Sequence, residues 1–362
     1  MKERKILVIL NANLGDFILA TSALNLLKKN AENLIVYVIA QKRFKPYIEN
    51  NPAIDNIIYN NNLFSVDSKW LTRRIYEAIW FIKNFIKLKL LSFDICIFLD
   101  SSPFLALAAN ILRIKTIAGP ATRWCGYDNP FPILKYLTHT VKMNKDSDRI
   151  HMSERYQTII RSIINTNNIE LPMLPNTSHI KSNTVETVKK DKNKKIIFCF
   201  EGEGGYNKFP FDNAVNTINA ILKHIKPSIY FVGTDKNNEY AIKIAGSVNY
   251  HIVNLCGKTN LYELKEILGN SDLLISVDTG IVHLAAVENI KIISLYGRGL
   301  PDNSGPVSSK AYSFYSKEIC SPCNFKREAE GFKCPCPDNP ICLININPYD
   351  IANKAIELLE EK

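Results

Sequence analysis

The chemistry-bearing residues of this 362-residue chain gather where apolar runs stop. One run, Leu273 to Val277, ends in Asp278-Thr279-Gly280, and a helix-like pattern follows at once through Ala286. A second run, Ile292 to Tyr296, ends in Gly297. A strand, a tight turn, a helix and another strand make a βαβ unit with its polar residues at the helix start. The unbonded N–H groups of a helix N-terminus attract phosphate. Asp278 and Thr279 suit the turn, and Gly280 lets a ligand approach the backbone. His283 lies four residues beyond Thr279 and projects from the same helical face. The set reads as a site for an anionic phosphate ligand.

Two more loops follow strands. The first strand runs into Asn11-Ala-Asn-Leu-Gly15-Asp16, with a helix from Phe17. Gly15 allows a sharp strand-to-helix turn and Asp16 falls at the helix start. Two readings stand for Asp16: a helix cap, or a carboxylate base facing the crevice beyond the strand ends. In the second half a strand ends in Glu201-Gly-Glu-Gly-Gly205-Tyr-Asn-Lys208-Phe-Pro210. Its glycines can bring backbone N–H groups to a ligand, and Lys208 can neutralise a phosphate. It is neither a Walker A loop nor a full Gly-x-Gly-x-x-Gly, so an ordinary surface loop is the competing reading. Asp146-Ser-Asp148 has the spacing of a metal-binding Asp-x-Asp, but it follows Lys145 in a polar stretch far from a strand end and reads as coincidence.

The elements that would position these residues alternate along the chain. Ile6–Leu10, Leu34–Ala40, Ile95–Leu99 and Thr116–Ala118 read as strands of a buried parallel sheet. So do Ile196–Phe200, Ser228–Val232, Ile252–Leu255, Leu273–Val277 and Ile292–Tyr296. Helices are expected over Phe17–Lys29, Trp70–Leu91, 211–224, 236–246, 261–269 and 280–288. Such alternation means doubly wound α/β domains. The length fits two domains. The expected division is residues 1–175, a linker over 176–195 with a Lys-rich lead-in, residues 196–346 with a cysteine-rich loop at 320–342, and a C-terminal helix over 347–362.

Residues 1–180 hold 23 Lys+Arg against 14 Asp+Glu, a net of +9, while residues 181–362 net only +1. That asymmetry points to an anionic partner for the first half, and charge alone leaves nucleic acid, an acidic membrane surface and a phosphorylated glycolipid open. The Trp70–Leu91 helix carries an apolar stripe at Ile75, Ile79, Ile82, Ile86 and Leu90. It also carries Lys69, Arg73, Arg74, Lys83, Lys87 and Lys89 beside Trp70, Trp80, Phe81 and Phe85. It reads either as a core helix with a wet basic face or as a helix lying on an anionic bilayer. No run of about 18 uncharged apolar residues argues for a membrane span, and no secretory signal pattern opens the chain, which makes the cytoplasm the expected compartment. Five of the nine cysteines, Cys320, Cys323, Cys334, Cys336 and Cys342, cluster late. A structural zinc site, free thiols and a redox pair all fit that spacing.

Taken together, these pieces resemble glycosyltransferase family 9, the heptosyltransferases of the lipopolysaccharide inner core. The resemblance rests on Leu14-Gly-Asp-Phe-Ile-Leu-Ala-Thr-Ser-Ala-Leu24, Gly257-Lys-Thr-Asn-Leu261, Asp278-Thr-Gly-x-x-His283-x-Ala-Ala286, Leu295-Tyr-Gly297 and Gly305-Pro306. His151-x-x-Glu154-Arg155-Tyr156 is similar to the family's interdomain segment. The resemblance implies an α/β GT-B fold, two Rossmann-like domains facing a central cleft, with acceptor on the first and nucleotide-sugar on the second. It implies inverting transfer of a heptose from ADP-heptose to an anionic lipid-linked saccharide, with no metal cofactor and no nucleic acid partner, at the inner leaflet of the cytoplasmic membrane. Asp16 would be the base. Lys208, Thr279, Gly280 and His283 would hold the diphosphate, Asp278 the sugar or its phosphates, Glu239 the ribose, and Arg123 an acidic acceptor. Glu201 and Glu203 depart from the family's small neutral residues beside the diphosphate, which leaves open another donor on the same fold, or a binding protein without catalysis. A nicotinamide-dependent oxidoreductase fits poorly, because the turn from Asn11 to Asp16 lacks the glycine fingerprint.

Overall fold

The computed structural model describes residues 3–10, 13–60, 70–99, 103–121, 133–141, 150–177, 182–202, 207–323 and 340–361. The chain divides into two compact units, Met1–Pro175 and Asn176–Lys362. The first holds a six-stranded parallel sheet of β1 (Arg4–Ile9), β2 (Leu34–Ala40), β3 (Asn56–Tyr59), β4 (Ile95–Phe98), β5 (Thr116–Pro120) and β6 (His139–Val141). Its strand order is β3-β2-β1-β4-β5-β6. The second holds β7 (Lys195–Cys199), β8 (Ser228–Phe231), β9 (Ile252–Asn254), β10 (Leu273–Val277), β11 (Lys291–Tyr296) and β12 (Ala311–Tyr315). They lie in the order β12-β11-β10-β7-β8-β9. Both are the doubly wound arrangement, in which covering helices on both faces demand unbroken apolar strands. All five residues of β10 and four consecutive residues of β4 are buried, as that requires.

In the first unit, helix α1 (Leu14–Asn30) is buried almost all round from Phe17 to Leu27 and packs on α5 (Met152–Arg161). The irregular segment 171–173, after α5, is laced to it. Asn25 Nδ2 donates to the Leu171 carbonyl at 3.1 Å, and the Met173 amide donates to Thr21 Oγ1 at 3.0 Å. The short α2 (Lys45–Ile48) follows β2. On the other face, α3 (Trp70–Leu91) and α4 (Pro103–Ile111) set Phe81, Leu88, Leu105, Ala106 and Ala109 against Leu7, Ile9, Cys96 and Phe98. Periodicity recognised α3, but its isoleucine stripe is not the face that the core reading of the helix requires. Ile75, Ile79, Ile82, Ile86 and Leu90 are exposed, whereas Phe81 and Leu88 face the core and Trp80 and Phe85 pack against it. The side chains of Trp70 to Arg74, and Lys69 entirely, lie outside the described residues. The His151–Tyr156 motif starts α5 inside this unit, with His151 as N-cap and Arg155 buried.

The second unit begins before β7. The expected linker holds a helix, α6 (Asn183–Lys190), whose Val185 and Val188 are buried and which packs on α9 (Leu261–Gly269). Thr177 donates to Glu266 at 2.6 Å, and Lys189 lies 3.3 Å from the same carboxylate. Of the Lys-rich stretch, Lys189 and Lys190 end this docked helix, Lys192 and Lys194 follow it, and Lys195 begins β7. Further helices are α7 (Phe211–His224), α8 (Asn238–Gly246), α10 (Gly280–Val287), a turn of helix at Pro301–Ser304, another at Ile341–Ile344, and the C-terminal Pro348–Glu360, which packs on α7. No helix among the described residues is long and apolar enough to cross a membrane.

At the end of β11 the backbone passes so close to its neighbours that only glycine fits. A Cβ on Gly297 would come within 2.5 Å of Cys342 Sγ and 3.2 Å of the Leu343 side chain. Overpacking of that kind costs about 1–3 kcal/mol. Gly297→Ala should therefore lower stability by about that much in urea titration, and adding Cys342→Ala should restore most of the loss.

Candidate functional site

In each sheet the strand order reverses beside its first strand, and ligands of doubly wound folds bind beyond the carboxyl ends of the strands at that point. In the second unit those ends belong to β7 and β10. β10 runs out into Asp278, whose amide donates to the Leu295 carbonyl at 3.0 Å. Thr279 is the N-cap of α10, yet its side chain makes no capping hydrogen bond, and no acidic residue occupies the first turn. The positive end of the helix is thus left uncompensated by its own sequence, the condition under which an anion is attracted. Gly280 opens α10 without a positive φ, so what it offers is the missing side chain. His283, one turn further, is 5% exposed and faces inward.

The β7 loop closes against this turn. Glu201 and Lys208 form an antiparallel bridge, the Gly202 amide donates to the Asn207 carbonyl at 2.9 Å, and the Phe209 amide donates to the Phe200 carbonyl at 2.7 Å. Asn207 Nδ2 then donates to the Asp278 carbonyl at 2.8 Å. A Cβ on Gly202 would stand 3.6 Å from Thr279 Cβ and 3.7 Å from the Asp278 carbonyl, so the two turns touch. Asn207 Oδ1 is buried and accepts no hydrogen bond among the described residues, a need that a ligand hydroxyl or water can meet. Beneath the loop, Phe200 stacks with Phe209 and meets Phe231 edge-on at 4.7 Å, which fixes the hairpin stem from below.

The carboxylate of Glu201 is already engaged. Asn237 Nδ2 donates to it at 3.0 Å, and Lys208 Nζ lies 4.0 Å away. Lys208 also sits 3.8 Å from the centre of the Tyr240 ring, a cation–π placement. Burial first, then the negative charges of Glu201 and Asp212, push the Tyr240 phenol above its ordinary pKa. Glu201 therefore orients the lysine. Glu203, the second departure from the family pattern, lies outside the described residues, as do Arg123 and the Asp146-Ser-Asp148 triplet. Glu239 is exposed in the first turn of α8, two residues past Asn237. Gly257, with φ +71, makes the left-handed turn after β9; a side chain there would strike the Asp235 backbone at 2.9 Å. These positions share the carboxyl edge of the second sheet.

Sequence reasoning missed Asn207, Asn237 and Tyr296. Burial raises the Tyr296 phenol well above its usual pKa, and the Asp278 carboxylate that accepts its hydrogen bond adds to the shift. The same Oη lies 3.2 Å from the Ser304 carbonyl. Asp278 Oδ2 would be 2.9 Å from a Cβ on Gly299, so its carboxylate packs on that glycine as well. The signal was present only as a tyrosine ending an apolar strand.

In the first unit, α1 begins at Leu14, earlier than the expected Phe17. Gly15 and Asp16 are its second and third residues, so Gly15 does not make the turn and Asp16 is not the cap. Asn13 is the N-cap, and its Oδ1 lies 3.5 Å from Arg43 Nη2. Asp16 is half-buried with its charge at the positive end of the helix.

The family model for glycosyltransferase family 9 (heptosyltransferase) matches residues 87–333. The chain belongs to that family. It is a glycosyltransferase with the GT-B fold. A Haemophilus influenzae protein provisionally named a glycosyltransferase is 25% identical over 303 residues, 81% of this chain and 82% of its own length. A family 9 glycosyltransferase structure from Veillonella parvula covers 100% of this chain and 98% of its own, with TM-score 0.74 and 18% identity. The Escherichia coli ADP-heptose LPS heptosyltransferase II structure covers 98% of each chain, with TM-score 0.73 and 19% identity.

Of the late cysteines in this glycosyltransferase, Cys320, Cys323 and Cys342 are described, and Cys334 and Cys336 are not. Cys342 and the Cys320–Cys323 turn both pack at Gly297, since Ser321 Oγ donates to the Gly297 carbonyl. Among the described residues no group of three or more His, Cys, Asp or Glu side chains is arranged to hold a metal ion.

Tyr296→Phe should cost about 1–3 kcal/mol, because it removes the one phenol proton that the Asp278 carboxylate and the Ser304 carbonyl share. Guanidinium unfolding of the variant checks this, and an unchanged midpoint would show that the phenol does not hold the turn.

Proposed function

We propose that this glycosyltransferase moves a heptose from ADP-heptose to the inner core of a lipopolysaccharide or lipooligosaccharide, inverting the anomeric centre without a metal. The observation that supports it most is the β10–α10 turn, a helix start without a side-chain cap, placed beside the Glu201–Lys208 hairpin at the switch point of the sheet. The name of the Escherichia coli enzyme of the same fold supplies the donor of this reading. The amides of the α10 start, with Thr279 and Gly280, would bind the diphosphate, and Lys208 and His283 would add positive or hydrogen-bonding groups. Asp278 and Asn207 would meet sugar or phosphate oxygens, and Glu239 the ribose hydroxyls. Fixed dipoles aimed at the departing diphosphate lower the barrier as its charge develops.

On the acceptor side, Asp16 would act as general base. The acceptor oxygen attacks the anomeric carbon, its proton passes to the Asp16 carboxylate, and the bond to the β-phosphate oxygen breaks with its electron pair leaving on ADP. A single displacement inverts the centre. Arg123 is the proposed contact for the acidic acceptor. A cytoplasmic setting belongs to the same reading, since ADP-heptose would be met there.

A panel of nucleotide-sugars assayed with core-lipid acceptor tests the proposal. ADP-heptose should be turned over, and Asp16→Ala should lower kcat about 10²- to 10⁴-fold with donor affinity kept. Lys208→Ala should raise the donor Kd about tenfold, the size expected for one charge-assisted hydrogen bond. Preference for a different nucleotide-sugar would replace the donor. Unchanged turnover in Asp16→Ala would remove the base, and no turnover with any donor would favour a binding protein.

A further inference from the structure

α3 turns an apolar row outward. Ile82 and Ile86 are 72% exposed and Leu90 is 77% exposed, with Ile75 and Ile79 continuing the row toward the N-terminus. At 3.6 residues per turn these five positions fall within about 80° of one another and run about 22 Å along the helix. They lie opposite Phe81 and Leu88, which are buried in the core of the first unit. Exposed Lys83 and Lys87 flank the row on one side and exposed Lys89 on the other. Contiguous exposed apolar residues of this length are uncommon on a surface that meets only water.

From this row and its lysine borders we infer that α3 lies on an anionic lipid bilayer, its isoleucines among the acyl chains and its lysines at the headgroup phosphates. Charge complementarity selects that occupant. The first 180 residues carry a net +9, and the described part of α3 beyond Arg74 has three lysines against one acidic residue, the buried Glu77. A second copy would bring the same lysines face to face in a symmetric pairing, which is repulsive. Nucleic acid would satisfy the lysines but leave the isoleucine row without a partner. A helix with a large apolar face bordered by lysines binds at the interface without crossing it, and each lysine adds to the attraction of acidic headgroups. The proposal extends the reading of a lipid-linked acceptor, which would be met at the same surface, and vesicle binding measured without donor or acceptor tests it separately.

The experiment is co-sedimentation of the full chain with vesicles of phosphatidylglycerol and phosphatidylethanolamine, and with phosphatidylcholine alone. Binding is expected to the anionic vesicles, to weaken with salt, and to fall about tenfold or more in Ile82→Glu/Ile86→Glu and in Lys83→Glu/Lys87→Glu. All four side chains are exposed, so circular dichroism and melting of both variants should match the parent. In Ile86→Trp, a blue shift of emission on adding anionic vesicles, with quenching by brominated lipid, would place this face in the bilayer. The inference is overturned by absence of vesicle binding in the parent, by equal binding of the glutamate variants, or by a dimer in sedimentation velocity that Ile82→Glu/Ile86→Glu dissolves while no vesicle binding occurs.

Discussion

The direction in which α10 leaves the second sheet depends on how tightly the end of β10 is held. β10 lies between β7 and β11, and every one of its residues is buried. Three hydrogen bonds then fix Asp278: its amide to Leu295, its carbonyl from Asn207, and its carboxylate from Tyr296. A charged carboxylate half out of water would be costly without such donors. With them it becomes a brace, and Thr279 is left to start the helix without a side-chain cap. The hairpin of the β7 loop, the packing of Gly202 and the tight passage at Gly299 all follow from the position of that one residue.

The loop beside it resolves an apparent conflict. A carboxylate next to an anion site opposes it unless something else holds the charge, and Asn237 and Lys208 hold Glu201. An ion pair this long and partly exposed adds at most about 1 kcal/mol to stability. Its consequence is geometric: it keeps Lys208 over the Tyr240 ring and across the bridge from Glu201. The aromatic stem of Phe200, Phe209 and Phe231 carries the stability of the loop, so the polar residues above it are free to serve recognition.

The long parallel strands were legible because burial on both faces writes them as unbroken apolar runs; β2 and β10 have the limits that their composition suggests. The edge strands β3, β6 and β12 were not, since each is short and interrupted by Asn, His, Thr or Ser at positions where one side meets water. Helix α6 hid ahead of a Lys-rich stretch because its inward face is only Val185 and Val188. On α3 a 3.6-residue period was visible, but two apolar faces share it, and spacing cannot say which one a sheet covers. Aromatic volume decided: Phe81, with Trp80 and Phe85, fills the space above β4, and the β-branched isoleucines are left outside. At the candidate site, the types and spacing of Asp278, Thr279 and Gly280 announced a helix start. Their support by Tyr296 and Asn207 was invisible, because it joins residues that are distant in sequence.

The two units handle negative charge by different physics. Residues 181–362 are nearly neutral, so an anion at the α10 start would be recognised by oriented backbone dipoles, with Lys208 as a local supplement. Such a site acts over the length of one helical turn and discriminates by shape. Residues 1–180 instead carry an excess of lysine and arginine, and part of it borders the exposed apolar row of α3. Charge on long flexible side chains acts over about a Debye length, is screened by salt, and suits an extended anionic surface better than a single phosphate. Net charge alone would have assigned the anion-binding role to the first unit only. The helix start at Thr279, which contributes nothing to a count of charges, gives the second unit its own claim.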